Sequence, residues 1–293
     1  NIALMYMSIT STKIKAPQNK HLKGAEYDGR PYPEGLFKPH FQIGYCGRSG
    51  SGKSNSMMIA LLEYQKANTF DKMILISPSA NEDPKYDRID WTERYEDYDT
   101  ELIKDIVEAQ KEDIEEYKLY IQKLKIYEKF IKSKTLKNFN ETEKKILASM
   151  IILDEEGNQL IEKPTNDYGR EPYAILVFDD LAGDSAYSNA MRNPLNSLAC
   201  KQRHFRISSM HCVQALKSLP RTIRQQCGVM AIFPTKDETA LMDICKENCS
   251  SITPDEFMKF YRKATDNEKH SFLLADFNSG TFRKNYDELL HIG

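Results

Sequence analysis

The sequence contains no apolar run that approaches the roughly 20 residues needed to cross a membrane, and its start lacks the pattern of a secretory signal peptide. It has no excess of either charge, because 41 Lys and Arg residues are nearly balanced by 43 Asp and Glu residues. A net charge of −2 neither requires nor excludes a nucleic acid partner, since a basic patch can form within a near-neutral chain. These absences predict a protein that has no membrane partner.

Cysteine is also scarce, with six residues, and no two of them form a C-x-x-C pair. Cys245 and Cys249 are spaced by one helical turn, but no second pair of metal ligands accompanies them. The cysteines are therefore expected to be buried free thiols in a reducing compartment rather than zinc ligands. The chain begins with Asn1, so Met7 is a candidate for the natural start.

One stretch of eight residues, by contrast, fits G-x-x-x-x-G-K-[ST] at every fixed position. The apolar run 41–46 precedes it and the helix-compatible stretch 55–66 follows, which is the strand–loop–helix context of a phosphate-binding loop. Backbone N–H groups of the loop would face the phosphates, Lys53 would reach the β- and γ-phosphates, and the Ser54 hydroxyl would ligate Mg²⁺. The predicted nucleotide-binding residues are Gly47, Arg48, Ser49, Gly50, Ser51, Gly52, Lys53 and Ser54.

A second signal is an acidic pair, Asp179 and Asp180, directly after the apolar run 173–178. A buried strand places the residues at its end at the edge of the sheet, where ligands of α/β proteins bind. Asp179 is expected to support the Mg²⁺ ion together with Ser54, and Asp180 is expected to be the general base that polarises the attacking water. Gln214 ends the next predicted strand, and we expect it to hydrogen-bond the γ-phosphate and that water.

Arginines that stabilise the charge of a transferring phosphoryl group are a third class of candidate. Arg203 precedes the strand that ends at Gln214, and Arg221 and Arg224 follow that strand. His204 and His211 have no metal-ligating companions in the sequence and are expected to be structural.

The predicted fold class is α/β: a P-loop NTPase with a mainly parallel central sheet flanked by helices, plus a helical and hairpin insertion. Five strands that alternate with helices carry this prediction, and a hairpin closes the chain. The predicted strands are 41–46, 72–77, 173–178, 206–213 and 228–233, and the hairpin strands are 272–276 and 281–283. A helix is predicted from about 187 to 202, interrupted near Pro194.

The 293 residues are divided into an arm and one domain. Residues 11–40 are rich in Pro, Gly and Lys without periodicity, so we expect 1–40 to be an extended arm that is disordered or lies along a neighbouring subunit. The ATPase domain is predicted at 41–293, interrupted by a charged insertion at about 95–165. Within it, 98–137 has apolar residues at helical spacing, and 151–161 has the pattern of a β-hairpin.

Four stretches together are distinctive: YCGRSGSGKS (45–54), ILVFDDLAG (175–183), RHFRISSMHCVQ (203–214) and LPRTIRQQ (219–226). An Arg-His pair before a strand that ends in Gln, followed by a Pro and an Ile-Arg, is the most specific part. In these stretches the chain resembles the viral genome-packaging ATPases of the FtsK–HerA superfamily, found in poxviruses, other large DNA viruses and virophages. The resemblance covers 41–78 and 173–235.

The resemblance implies an ATP-hydrolysing translocase that packages viral double-stranded DNA into capsids, with ATP and Mg²⁺ as its cofactors. It implies a homo-oligomeric ring of five or six subunits, with hydrolysis at the subunit interfaces and a capsid or portal protein as a further partner. Its place of action would be the host cytoplasm, a viral factory or the virion. By the same resemblance Asp180 is the catalytic acid, Gln214 is the γ-phosphate sensor, and Arg203 or Arg224 is a finger that acts on a neighbouring subunit.

Basic clusters at 123–137 and 201–206 are candidate DNA contacts, with solvated surface charge as the alternative.

Other classes of protein remain open at this stage. A GTPase switch is one, because 180–183 satisfies D-x-x-G and 235–238 follows a strand where guanine is read by [NT]-K-x-D. The second motif fails at Glu238, where the aspartate that pairs with guanine is required. A small-molecule kinase and a scaffold that binds nucleotide without turnover are further alternatives. Asp180 and Gln214 argue against the scaffold.

Overall fold

The structure is a computed structural model that describes residues 29–133, 135–181, 185–187, 193–249, 252–266, 268 and 270–291. Its strands are β1 (Gln42–Cys46), β2 (Lys72–Ile76), β3 (Glu93–Tyr95), β4 (Ile151–Leu153), β5 (Gln159–Ile161), β6 (Ala174–Asp179), β7 (Ile207–Val213), β8 (Val229–Ile232), β9 (Leu273–Asp276), β10 (Thr281–Lys284) and β11 (Glu288–Leu290). Its α-helices are α1 (Lys53–Lys66), α2 (Thr100–Ser133), α3 (Glu141–Ala148), α4 (Pro194–Lys201), α5 (Arg221–Gln226), α6 (Glu238–Asn248) and α7 (Pro254–Thr265).

Among the described residues, nine strands form one sheet in the order β11-β10-β9-β8-β1-β7-β6-β2-β3. The run from β8 to β3 is parallel, and β9, β10 and β11 continue the sheet antiparallel at the β8 edge. The predicted mainly parallel α/β sheet is confirmed, as are its five strands and the closing hairpin. Strands β3 and β11 were not predicted, because each has three residues and no apolar pattern that distinguishes it from a loop.

Both faces of the sheet are covered, which explains why the central strands are continuously apolar rather than alternating. In β6, Ile175 and Val177 belong to the core that includes the buried residues of α1, whereas Leu176 and Phe178 belong to the core on the other face. That second core contains side chains of α4, α5, α6 and α7. Helix α4 begins at Pro194, the point where the predicted helix 187–202 is interrupted or restarts, and the Asn193 side chain caps it; residues 188–192 lie outside the described residues.

The segment 29–40 lies on the domain of its own chain. The Arg30 guanidinium is 2.7 Å from the Asp71 carboxylate and lies over the ring of Tyr173. The Tyr64 hydroxyl accepts from the Phe37 amide at 2.9 Å. A buried arginine needs such a paired partner, so these contacts hold the segment in place. The remainder of the predicted arm, 1–28, lies outside the described residues.

The insertion contains the predicted helix as α2 and the predicted hairpin as β4 and β5, and between them lies α3, which was not predicted. The first part of α2 packs on the main core through Ile103 and Ile106. Further along, Ile126 packs with Phe139 and Leu147 in a small cluster that is separate from the main core. With 34 residues, α2 is about 50 Å long. In the described part of the chain, neither α2 nor any other helix combines the length and apolar character that a membrane span requires.

Candidate nucleotide-binding site

A cavity of about 320 Å³ opens where the adjacent strands β1, β7 and β6 end. Parallel strands bring their carboxyl ends to one edge of the sheet, so three segments that are far apart in sequence converge there. The cavity is lined by Ser49, Gly50, Gly52, Lys53, Ser54, Asn55, Lys85, Asp179, Asp180, Cys212, Gln214 and His270. It therefore brings together most of the predicted loop, both acids and the predicted sensor glutamine.

The loop between β1 and α1 has the features of an anion cradle. Helix α1 begins directly after Gly52, with no side-chain cap and no acidic residue in its first turn. Its first N–H groups are therefore available to an anion at the positive end of the helix dipole. Gly47 is required by packing, since a Cβ atom there would lie 2.5 Å from the Phe233 Cβ atom. Lys53 folds over the loop and donates from Nζ to the Arg48 carbonyl at 3.2 Å.

Asp179 is held from both sides by hydroxyl groups. The Ser54 hydroxyl donates to Oδ1 at 3.0 Å, and the Tyr86 hydroxyl donates to Oδ2 at 2.8 Å. The Asp179 side chain is only 2 % exposed, and the Lys85 Nζ atom lies 3.5 Å from Oδ2. Burial raises the pKa of Tyr86, so its hydroxyl keeps the proton that it donates.

The oxygens of Ser54 and Asp179 fit the preference of Mg²⁺, which takes one or two protein oxygens and completes its shell with water and substrate phosphates. Among the described residues there is no cluster of three or more His, Cys, Asp or Glu side chains that would hold a metal by itself. A cation at these two residues would therefore depend on the phosphates of a bound nucleotide.

Asp180 and Gln214 contact each other at the mouth of the cavity. The Gln214 side-chain amide donates from Nε2 to Asp180 Oδ1 at 3.0 Å. Successive side chains of a strand point to opposite faces, yet Asp179 and Asp180 line the same cavity. A left-handed backbone at Asp180, with φ of 57°, ends the strand and turns the second carboxylate toward the first. Aspartate is one of the few residues that adopt this conformation at modest cost.

The two candidate arginines do not line this cavity. Arg224 donates to both carboxylate oxygens of Glu247, at 3.1 and 3.0 Å, and to the Leu219 carbonyl, which ties α5 to α6. Arg203 is exposed and precedes β7, whereas the cavity lies where β7 ends. Seven residues of strand separate the two ends of β7, a distance of roughly 20 Å. Arg203 therefore lies at the opposite edge of the sheet from the nucleotide cavity of its own chain.

Residues from two further segments line the cavity although no motif identified them. Lys85 belongs to the short 3₁₀ helix Pro84–Arg88, and His270 precedes β9, with its Nδ1 atom 3.1 Å from the Ser51 carbonyl. Lys85 could have been predicted from its place after β2, since any segment that follows a parallel strand begins at the edge of the sheet where ligands bind. His270 had no such signal, because its place depends on the antiparallel addition of β9 beside β8.

Burial keeps His211 and Cys212 in their neutral forms. His211 is stacked on Phe178 with ring centroids 4.8 Å apart, and burial lowers its pKa to about 3, so it is neutral at physiological pH. This agrees with its predicted structural role. The six cysteines are free thiols as predicted, but only four are buried, since Cys200 is exposed and Cys249 is half-buried. Cys212 lines the cavity, but burial raises its pKa well above the ordinary value, so it is not a thiolate nucleophile.

No protein-family model matches the sequence, and no curated protein is detectably similar to it. The structure is similar to the genome packaging NTPase B204 from Sulfolobus turreted icosahedral virus 2, in complexes with AMP, ATPγS and AMPPCP. The TM-scores are 0.52, 0.51 and 0.50, at 12%, 13% and 14% sequence identity, and each match covers 85% of this chain and 98% of that chain. At this identity the likeness concerns the fold, and at that level the predicted resemblance to genome-packaging ATPases is confirmed. The chain therefore has the P-loop NTPase fold, which it shares with B204.

Proposed function

We propose that this protein hydrolyses ATP with Mg²⁺ and uses the energy to move double-stranded DNA into a viral capsid. The observation that carries the proposal is a pair of contacts in one cavity, Ser54 to Asp179 and Gln214 to Asp180, both at 3.0 Å. The first assembles two oxygen ligands suited to Mg²⁺. The second places a carboxylate and an amide side by side, next to the loop that would bind the phosphates.

In this proposal each residue has one task. The backbone of 47–54 and the start of α1 bind the phosphates, and Lys53 leaves the Arg48 carbonyl to reach the β- and γ-phosphates. Ser54 and Asp179 would hold Mg²⁺, which supplies charge neutralisation for the phosphates. Asp180 accepts a proton from the attacking water at its carboxylate, while Gln214 orients that water and contacts the γ-phosphate.

ATP is preferred over GTP in this proposal because the guanine-reading motif is defective. Glu238 replaces the required aspartate and begins α6, where it pairs with Arg262 of α7 at 3.4 Å. The neighbouring Asp237 caps the same helix by accepting from the Ala240 amide. Both acids thus have structural partners. The D-x-x-G motif at 180–183 ends at Gly183, which lies outside the described residues.

The DNA-translocating part of the proposal is supported by the fold that the chain shares with B204, a genome packaging NTPase. We propose a ring of five or six copies, with a capsid or portal protein as the docking partner and the host cytoplasm, viral factory or virion as the place of action. Because Arg224 is engaged by Glu247, Arg203 is the arginine that we assign to the neighbouring subunit's site.

The test is nucleotide turnover with ATP and with GTP, each in the presence and absence of double-stranded DNA. We expect a preference for ATP and stimulation by DNA. Lys53→Ala is expected to abolish nucleotide binding or hydrolysis. Lys66→Ala, at the exposed end of the same helix, is the matched control and should leave turnover unchanged. A preference for GTP without DNA stimulation would favour the switch, and normal turnover in Lys53→Ala would refute the site.

A further inference from the structure

The cavity contains a second lysine that belongs to neither the phosphate loop nor the acidic strand. Lys85 lies on the 3₁₀ helix Pro84–Arg88, which Asp83 caps by accepting from the Lys85 amide at 3.0 Å. The same Asp83 side chain lies 2.9 Å from the Lys85 Nζ atom. The next residue, Tyr86, is fully buried, and its carbonyl accepts from the Trp91 indole at 2.8 Å. Lys85 is therefore held on a firmly packed turn.

The strand order determines from which side Lys85 enters the cavity. Along the sheet the order is β1, β7, β6, β2. The phosphate loop follows β1, Gln214 follows β7, the acids end β6, and Lys85 follows β2. A phosphate chain that starts in the loop and extends toward Gln214 and the acids ends on the side from which Lys85 enters. In such a pose the terminal phosphate would be the part of the nucleotide nearest to Lys85.

The contacts of Asp179 leave the Lys85 ammonium available to a ligand. Both Asp179 oxygens accept from hydroxyl groups, of Ser54 and Tyr86, and the distance of 3.5 Å from Lys85 to Oδ2 is longer than a strong ionic hydrogen bond. An ammonium has three N–H donors; Asp83 takes one, and the Tyr86 side chain is a second neighbour of Nζ, so at least one donor remains for a ligand.

We propose that Lys85 binds the terminal phosphate of the nucleoside triphosphate, so that the site distinguishes a triphosphate from a diphosphate. The inference rests on the proposed function in one respect, that the ligand of this cavity is a nucleoside triphosphate. Lys53 contacts phosphates that the diphosphate partly shares, whereas Lys85 gains its contact only when the last phosphate is present. Lys53 then contacts the terminal phosphate from the side of α1, and Lys85 contacts it from the side of β2.

The test is the affinity of the full chain for AMPPCP and for ADP, each with Mg²⁺, in Lys85→Gln. The matched control is Arg88→Gln, an exposed cation on the same 3₁₀ helix. Loss of a charge-assisted hydrogen bond predicts that Lys85→Gln binds AMPPCP about tenfold more weakly or worse, with ADP affinity nearly unchanged. Arg88→Gln should change neither affinity. Lys85→Arg, which keeps the charge, should restore the preference for AMPPCP.

Unchanged ADP binding also verifies that Lys85→Gln is folded. Equal weakening of AMPPCP and ADP, or no change in either, would overturn the assignment of Lys85 while leaving the proposed ATPase intact. Failure of the unmodified protein to bind AMPPCP would overturn the proposed function itself. The two failures are therefore distinguishable in one set of titrations.

Discussion

At the scale of the residue, the backbone of Asp180 is the decisive feature of the site. With φ of 57°, it directs a second carboxylate into the cavity that Asp179 already lines. Asparagine has nearly the same shape, tolerates the left-handed region and retains an oxygen that can accept from Gln214. The charge and basicity of Asp180 can thus be removed while its geometry is kept.

We predict that Asp180→Asn binds ATP but hydrolyses it at least about a hundredfold more slowly, the usual contribution of a general base. Binding titrations and single-turnover hydrolysis measure the two effects separately. Asp90→Asn, at an exposed aspartate outside the cavity, is the control and should hydrolyse normally. If Asp180→Asn retains the original rate, the base is another group.

At the scale of the element, α2 connects the main core, on which the cavity depends, to a separate small hydrophobic cluster in the insertion. Its first part contributes Ile103 and Ile106 to the core beneath the sheet, and its second part supports only the small cluster around Phe139. We call 121–162, from the second part of α2 to the end of β5, the distal part. The residues that flank it, Tyr120 and Lys163, line one cavity, so its two ends lie close together. The distal part can therefore be removed without stretching the chain.

We predict that replacing 121–162 by a short Gly-Ser linker leaves the affinity for ADP unchanged and the domain folded. Ile103→Ala is the contrasting change, since truncating a buried isoleucine costs about 2–5 kcal/mol of unfolding free energy. Thermal unfolding and ADP titration of both variants give the comparison. Loss of ADP binding after the excision would show that the distal part supports the site.

At the scale of the whole molecule, the nucleotide cavity and Arg203 lie at opposite edges of one sheet, roughly 20 Å apart along β7. Within one chain the two cannot meet. In a ring, each heterologous interface joins one edge of a subunit to a different edge of its neighbour, so every site can receive an arginine from the next copy. Such an arrangement makes turnover a property of the assembly.

We predict that Arg203→Ala binds ATP without hydrolysing it, and that mixing it with Lys53→Ala restores turnover. In mixed rings an intact loop of the first variant meets an intact arginine of the second. Random assembly at equal amounts places about one quarter of the interfaces in this state, so about one quarter of normal turnover is expected. Each variant alone is the control. Absence of recovery in confirmed mixed rings would exclude Arg203 as a group that acts across the interface.

Much of the fold was predictable because its signals are local. The phosphate loop is recognised from eight adjacent residues, and β6 from an apolar run that both covered faces of the sheet require. Strand β3, by contrast, is a polar tripeptide that exists because it pairs with β2. The antiparallel edge formed by β9, β10 and β11 likewise depends on pairing with β8, which no local pattern specifies.

The sequence by itself determined which residues meet at the cavity and predicted a nucleotide as its ligand, since a glycine-rich loop and acids at strand ends obey rules of chain geometry that hold in any parallel sheet. Only the tertiary structure decided which other side chains reach them. Tyr86 donates to Asp179 across 93 positions of sequence, and Arg224 is engaged by Glu247 rather than by the cavity. Such contacts depend on strand order and on the packing of remote segments, and these are settled only when the whole chain is folded.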